Sequence, residues 1–232
     1  MQLIKQTFLW FSPVLETSNI DTMLHYYLKK IQYFLLGQKF EYPKTIVEFY
    51  FNNKKKDIIS FSSIAGSKRA VQMNEFFNLT KKFNVLFVKD VKRSWFNSID
   101  TNYIKSFLKK KEAYCIGHSM GAFNAIMFSN CFPVKKVLAF SPQFSIHPQI
   151  SKDKTYLNYA ALIEQWKYKK IIFNNKTNYY LIFGDSEEEQ YHMNQMPNQR
   201  NIKKIIIKNC DHNTAPVLKK RGELYSLIKK FL

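Results

Sequence analysis

Gly117-His118-Ser119-Met120-Gly121 sets a serine between two glycines, with a spacing of two on each side. The apolar run AYCI precedes it, and helix-forming residues follow. That order suits a serine at the tip of a strand-to-helix turn. Backbone angles at such a tip are strained, and side chains two residues to either side would clash, so glycine is needed there. The turn aims the hydroxyl away from the sheet, and the helix N-terminus behind it favours developing negative charge. Ser119 is therefore the candidate nucleophile; the plainer alternative is a turn serine.

A serine hydroxyl is a weak nucleophile until a base takes its proton, and the base needs an acid to orient it. On such a turn the chain order is serine, acid, histidine. His147, His192 and His212 follow Ser119. His212, in NCDHNTAP, lies between the last apolar strand and the last helix and is the expected base. His192 reads as a surface histidine in a polar segment, and His147, beside Pro148, has no positional support. Asp185 ends the run YYLIFGD at the carboxyl edge of a strand and is the expected acid. Glu187, Glu188 and Glu189 are runners-up, with an acidic first helical turn as their plainer role. Asp211 adjoins His212, and sequence neighbours usually point apart.

Two backbone N–H groups are needed for the charge that develops in acyl transfer. Met120, next after the nucleophile, supplies one, and the loop after IISF supplies the other, from Ile64 with Ser63 as the neighbour. The loop KDVKRSWFN, Lys89 to Asn97, also leaves a strand's carboxyl end. In it Arg93 is a candidate for holding an anionic group and Trp95 for stacking on a sugar or cofactor ring. An Asp90–Arg93 ion pair with a packed tryptophan is the alternative. His118 is a third candidate substrate contact. No metal site is expected: Cys115, Cys131 and Cys210 are widely spaced and read as reduced thiols.

These residues need a scaffold of alternating strands and helices. A helix is expected over 18–37, with Leu24, Leu28, Ile31 and Leu35 on one stripe and Gly37 ending it. Residues 45–51 alternate like an edge strand, and 54–56 read as a hairpin turn into DIISF. Further strands are expected at 84–88, 113–116, 136–140, 179–184 and over IKKIIIK. Helices are expected over 68–83, 101–111, 120–130, 156–168, a short acidic stretch after Asp185, and 215–231. This rhythm predicts an α/β fold, a doubly wound and mostly parallel sheet with helices on both faces. Chemistry then sits at the carboxyl ends of the strands. Residues 142–177 break the rhythm and read as a lid-like insertion over that edge. One domain is expected over 1–232, with 1–50 as its N-terminal helix and edge strand.

The 232 residues carry 36 Lys and Arg against 17 Asp and Glu, a net charge of +19. Such a charge suits an anionic glycan, phosphate groups or an anionic membrane surface. Nucleic acid is not expected, since the lysines are scattered and no zinc finger, aromatic RNA-binding strand or basic heptad occurs. No apolar run reaches the length of a membrane span, and the N-terminus lacks signal-peptide features. A cytoplasmic protein is expected, with the inner face of the membrane as a candidate location. The oligomeric state stays unassigned.

The G-H-S-M-G turn, an Asp after a strand and a His before the last helix together resemble the α/β-hydrolase superfamily over most of residues 57–232. IISFSSIAG, the turn, FGDSEEEQYHMN and CDHNTAP are similar in order and spacing to bacterial capsule polysaccharide O-acetyltransferases of that fold. The resemblance implies transfer of an acetyl group to a polysaccharide hydroxyl, with acetyl-coenzyme A as donor substrate and no bound cofactor. It implies Ser119, Asp185 and His212 as the triad. Where the family usually has His-Gly in the oxyanion loop, this chain has Ser62-Ser63, and residues 1–50 resemble no family. A carboxylesterase or deacetylase with the same triad acting on a small ester, and a non-catalytic interaction module, are the alternatives.

Overall fold

Short runs such as DIISF and NVLFVKD are apolar on both faces, which places them in the middle of a sheet covered on both sides. The computed structural model describes residues 44–51, 56–65, 72–108 and 112–231. Its strands are β1 (Thr45–Tyr50), β2 (Asp57–Phe61), β3 (Asn84–Asp90), β4 (Ala113–His118), β5 (Val134–Phe140), β6 (Asn178–Gly184) and β7 (Ile202–Ile207). They form one sheet in the order β1-β3-β2-β4-β5-β6-β7. β1 runs antiparallel to β3, and all other neighbours are parallel. The helices are α1 (Thr101–Ser106), α2 (Met120–Phe128), α3 (Leu157–Ala160), α4 (Glu187–Gln195), α5 (Thr214–Lys220) and α6 (Leu224–Phe231).

Every residue of β2 and β3 is buried. Their side chains alternate between two apolar layers, as the period of two in a strand requires. Ile59, Phe61, Leu86 and Val88 pack with Phe123 and Ile126 of α2 on one face. Ile58, Val85 and Phe87 pack with Leu218 of α5 and Ile228 of α6 on the other. Truncating one of these rings, such as Phe123, to alanine costs about 3–5 kcal/mol. The strand order turns outward in both directions from β2, with β3 on one side and β4 on the other. A crevice opens beyond the carboxyl ends at such a point.

The fold is the expected α/β sheet, but several local expectations are corrected. β1 does not form a hairpin with β2; it pairs with β3, and β2 lies between β3 and β4. A hairpin would have left the wholly buried β2 nearer the edge. No helix spans the described part of 68–83, which holds only a 3₁₀ turn at Phe77–Lys81. Its carbonyls are used elsewhere: Ser60 Oγ donates to Glu75 O and Ser62 Oγ to Met73 O, both at 2.8 Å. The helix expected over 156–168 is one turn long, since the Tyr168 backbone bonds Asn97 instead of continuing it. The last helix is two, because Gly222 adopts φ +77 and Glu223 N–H turns back to Leu218 O at 2.9 Å. That is a left-handed helix end, which glycine takes without strain. The expected helix over 18–37 lies outside the described residues.

Candidate active site

The strand-to-helix turn begins where β4 ends. Ser119 has φ 55 and ψ −125, a strained conformation for a residue with a side chain. Its N–H donates to Phe140 O at 2.8 Å, which ties the tip to β5. A Cβ on Gly117 would lie 2.2 Å from the Gly121 carbonyl oxygen. A Cβ on Gly121 would lie 2.2 Å from the Phe61 carbonyl oxygen. The two glycines therefore let the turn close on itself and pack against the end of β2.

His212 follows β7 and precedes α5. Its Nε2 is 2.9 Å from Ser119 Oγ. Its Nδ1 is 2.9 Å from Glu189 Oε1. A carboxylate there holds the proton on Nδ1 and leaves the Nε2 lone pair facing the serine. Glu189 is 1% exposed on α4, and its Oε2 accepts the Gly184 N–H at 3.0 Å. The acid beside His212 is thus Glu189, not Asp185. Asp185 is exposed and accepts the N–H groups of Asn209 and Cys210, each at 3.0 Å. Those two bonds hold its carboxyl below the usual range. Asp185 staples the loop that carries His212, and its carboxylate is spent on that task. Gly184 admits the same loop: a Cβ there would lie 2.2 Å from Cys210 O.

His118 secures the loop from the other side. Its Nε2–H donates to the His212 carbonyl at 2.9 Å. Burial first, and His212 second, push its pKa down to about 4, so it is neutral at pH 7. His118 therefore positions the His212 backbone.

On the oxyanion side, the Met120 and Ile64 N–H groups have no acceptor among the described residues. Ser63 differs: its N–H donates to Glu75 Oε1 at 2.9 Å and its hydroxyl donates to the same oxygen. That leaves Ile64 of the two expected donors. Burial pushes the Glu75 carboxyl up to about 7. Arg93 Nε donates to the Ile64 carbonyl at 3.3 Å and its Nη1 to Val91 O at 2.8 Å. Arg93 thus braces the Ile64 loop.

The segment after β5 covers the serine, which is 4% exposed. Gln143 Nε2 donates to Ser119 Oγ at 2.9 Å and lies 3.3 Å from His212 Nε2. Trp95 Nε1–H donates to Gln143 Oε1 at 3.2 Å. Indole is only a donor, so it fixes which end of the amide faces the serine. Tyr156 Oη sits 3.0 Å from His212 Nε2. Burial, with Glu188 next, keeps this phenol protonated.

No protein-family model and no curated protein sequence matches the chain. Solved structures do. The capsule O-acetyltransferase of Neisseria meningitidis serogroup A is 18% identical with a TM-score of 0.56, over 82% of this chain and 93% of that one. A carboxylesterase structure from the thaumarchaeon Nitrososphaera gargenis is 11% identical with a TM-score of 0.52, over 80% and 93%. The glycosylation-associated Gap123 complex of Streptococcus agalactiae matches at 12% identity and a TM-score of 0.52, over 79% of this chain and 43% of that one. The fold is α/β-hydrolase-like.

Within this α/β-hydrolase-like frame, Trp95 is not available to stack on a substrate ring. It is fully buried, with its ring 5.5 Å from Tyr156. The left-handed backbone of Arg93, Trp95 and Phe96 is held by Asp90, which is buried. Asp90 accepts from Ser94 N–H, Ser94 Oγ and Phe96 N–H, and burial pushes its pKa up to about 6. His192 is buried, not on the surface: its Nδ1 accepts the Phe144 N–H and its Nε2–H reaches Asp153 at 3.1 Å. Asp153, Glu188 and His192 cluster closely enough to suggest a cation. That tautomer leaves His192 no free lone pair for a metal.

Tyr156 and Gln143 had no sequence signal beyond lying in the 142–177 break. Glu189 had one. Glu189, His192 and Met196 are spaced by three and four residues, the inward face of a helix, and all three are buried. Ser186 caps this helix, so Ser186 and Glu189 also fit the capping-box spacing, in which the third residue reaches back toward the cap.

Proposed function

We propose that the protein is a serine acyltransferase that works through an acyl-Ser119 ester, with a hydroxyl of a surface, capsule-type polysaccharide as the acceptor and acetyl-coenzyme A as donor. The observation that carries this reading is the unbroken line Ser119 Oγ, His212 Nε2, His212 Nδ1, Glu189 Oε1, with both links at 2.9 Å. His212 takes the Ser119 proton as Oγ attacks the acyl carbonyl carbon. Glu189 steadies the imidazolium that results. The Met120 and Ile64 N–H groups donate to the oxyanion. The tetrahedral adduct collapses, the proton passes from His212 to the leaving group, and the acyl group stays on Ser119. The acceptor hydroxyl then repeats these steps in reverse order.

The solved capsule O-acetyltransferase, one form of which holds CoA, supports the transferase over other acyl chemistry. The net charge of +19 suits an anionic acceptor or the phosphates of the donor. No helix among the described residues is long and apolar enough to cross a membrane. A carboxylesterase is the second reading, favoured by the fold likeness to the archaeal carboxylesterase. Kinetics with acetyl-coenzyme A, with and without an acidic capsular polysaccharide, separate the two. Acceptor-dependent release of free coenzyme A supports the transferase; release unaffected by the glycan supports the esterase. In either case Ser119→Ala is expected to lower kcat by about 10³-fold or more.

A further inference from the structure

Tyr156 puts a second hydroxyl on the catalytic base. With the proton on Nδ1, His212 offers one lone pair, at Nε2. Ser119 Oγ reaches it at 2.9 Å and Tyr156 Oη at 3.0 Å. Once Ser119 carries an acyl group it has no proton to donate, and the lone pair must take its next proton from the acceptor. The acceptor oxygen therefore has to occupy a position within hydrogen-bond reach of Nε2 and next to the acyl carbon. The Tyr156 hydroxyl already stands within that reach.

We propose that Tyr156 holds the acceptor's place at His212 Nε2 and keeps water from it, so that an acyl group on Ser119 passes to a hydroxylic acceptor and not to water. The inference rests on the acyl-transfer reading above. Tyr156 is 5% exposed, and its ring lies edge-on to fully buried Trp95. On that side of Nε2 the Tyr156 hydroxyl and ring take the place a water would occupy. Burial and the charges of Glu188 and Asp153 keep the proton on the phenol, so it stays a hydrogen-bond donor toward Nε2. A bound acceptor must displace the phenol, and a lone water does not supply the contacts to do so.

The transfer step balances without any other reactant. The acceptor oxygen bonds to the acyl carbon as His212 Nε2 takes its proton. The carbon–Oγ bond of Ser119 then breaks, and the proton returns from Nε2 to Oγ. The products are the acceptor ester and free Ser119.

The test uses the full chain with p-nitrophenyl acetate as donor and glycerol as acceptor probe. p-Nitrophenolate release reports acylation, and glyceryl acetate against free acetate reports the partition. In Tyr156→Ala the glyceryl acetate to acetate ratio is expected to fall about tenfold, since water enters where the ring was. Tyr156→Phe keeps the ring and removes the hydroxyl that competes with Ser119 for Nε2. It is expected to raise the acylation rate several-fold while keeping most of the wild-type ratio. An unchanged ratio in Tyr156→Ala overturns the inference. If that variant does not fold, an unchanged acylation rate in Tyr156→Phe overturns it instead. Product formation that survives in Ser119→Ala overturns the acyl-serine reading itself, and this inference with it.

Discussion

Glu189 and Asp185 stand four positions apart, and both have carboxylates near the carboxyl end of β6. Only Glu189 reaches His212, at 2.9 Å. Asp185 points along the chain's exit from the strand and binds two backbone N–H groups of the next loop. The difference is one of local geometry: a residue at a strand end faces the loop opposite, whereas the third residue of a capped helix can turn inward. Glu189→Gln is expected to lower kcat by about 10²–10⁴-fold, since it removes the charge that fixes the Nδ1 proton. Asp185→Ala is expected to lower the melting temperature and to reduce kcat by less than about tenfold, because it loosens the His212 loop without touching the imidazole. Steady-state kinetics on p-nitrophenyl acetate, run beside thermal melts, check both. Comparable kcat losses in the two variants would contradict the assignment.

The strands and the serine turn were legible in the sequence because their signals are local. Apolar runs of five to seven residues, and two glycines around a serine, need no distant partner to be read. The helices at 68–83 and 156–168 were misread because their backbone groups are taken by distant side chains: Ser60 and Ser62 in one case, Asn97 in the other. Trp95 has two readings in the sequence, a stacking platform or a packed tryptophan; the structure packs it, and its partner Gln143 lies 48 positions away, so nothing in either local sequence announces the other. Gly222 was missed as the break between α5 and α6, although a lone glycine in a helical run is a fair stop signal. Its substitution tests that element. A Cβ at Gly222 meets nothing within 4 Å, so Gly222→Ala pays only for its φ of +77. That cost is about 1–2 kcal/mol, with kcat unchanged. Gly121→Ala, by contrast, sets a Cβ 2.2 Å from a β2 carbonyl and is expected to abolish activity or folding. Denaturant unfolding of the two variants distinguishes a conformational cost from a steric one.

Across the whole molecule, the sheet brings together residues from five separate loops at one edge. The Ile64 loop follows β2, the Trp95 loop β3, Ser119 β4, Gln143 β5, and His212 β7. His118 links the β4 end to the His212 loop, so its protonation bears on the stability of the fold. Its pKa lies near 4 in the fold against about 6.5 in an unfolded chain, so the unfolded state binds more protons between those values. Stability is fully present above about pH 6.5 and falls as the pH drops toward 4. His118→Gln, which keeps a donor for the His212 carbonyl, is expected to flatten this part of the stability–pH curve. Melting temperatures measured across that range for both proteins check the sign. A His118→Gln curve as steep as the wild type would place the dependence elsewhere, but not on the buried carboxyls Glu75 and Asp90. Their raised pKa values act in the opposite direction, since each favours the fold at low pH and loses that contribution as the pH rises through about 7 and about 6.

The whole proposed chemistry turns on Ser119 carrying the acyl group. The intact mass of the wild type and of Ser119→Ala, measured after mixing with acetyl-coenzyme A and separately with p-nitrophenyl acetate, tests it most directly. The expected result is a gain of one acetyl group in the wild type, mapped to the peptide that holds Ser119, and none in the variant. An equal gain in both proteins, or an acetyl group mapped to another residue, would contradict it.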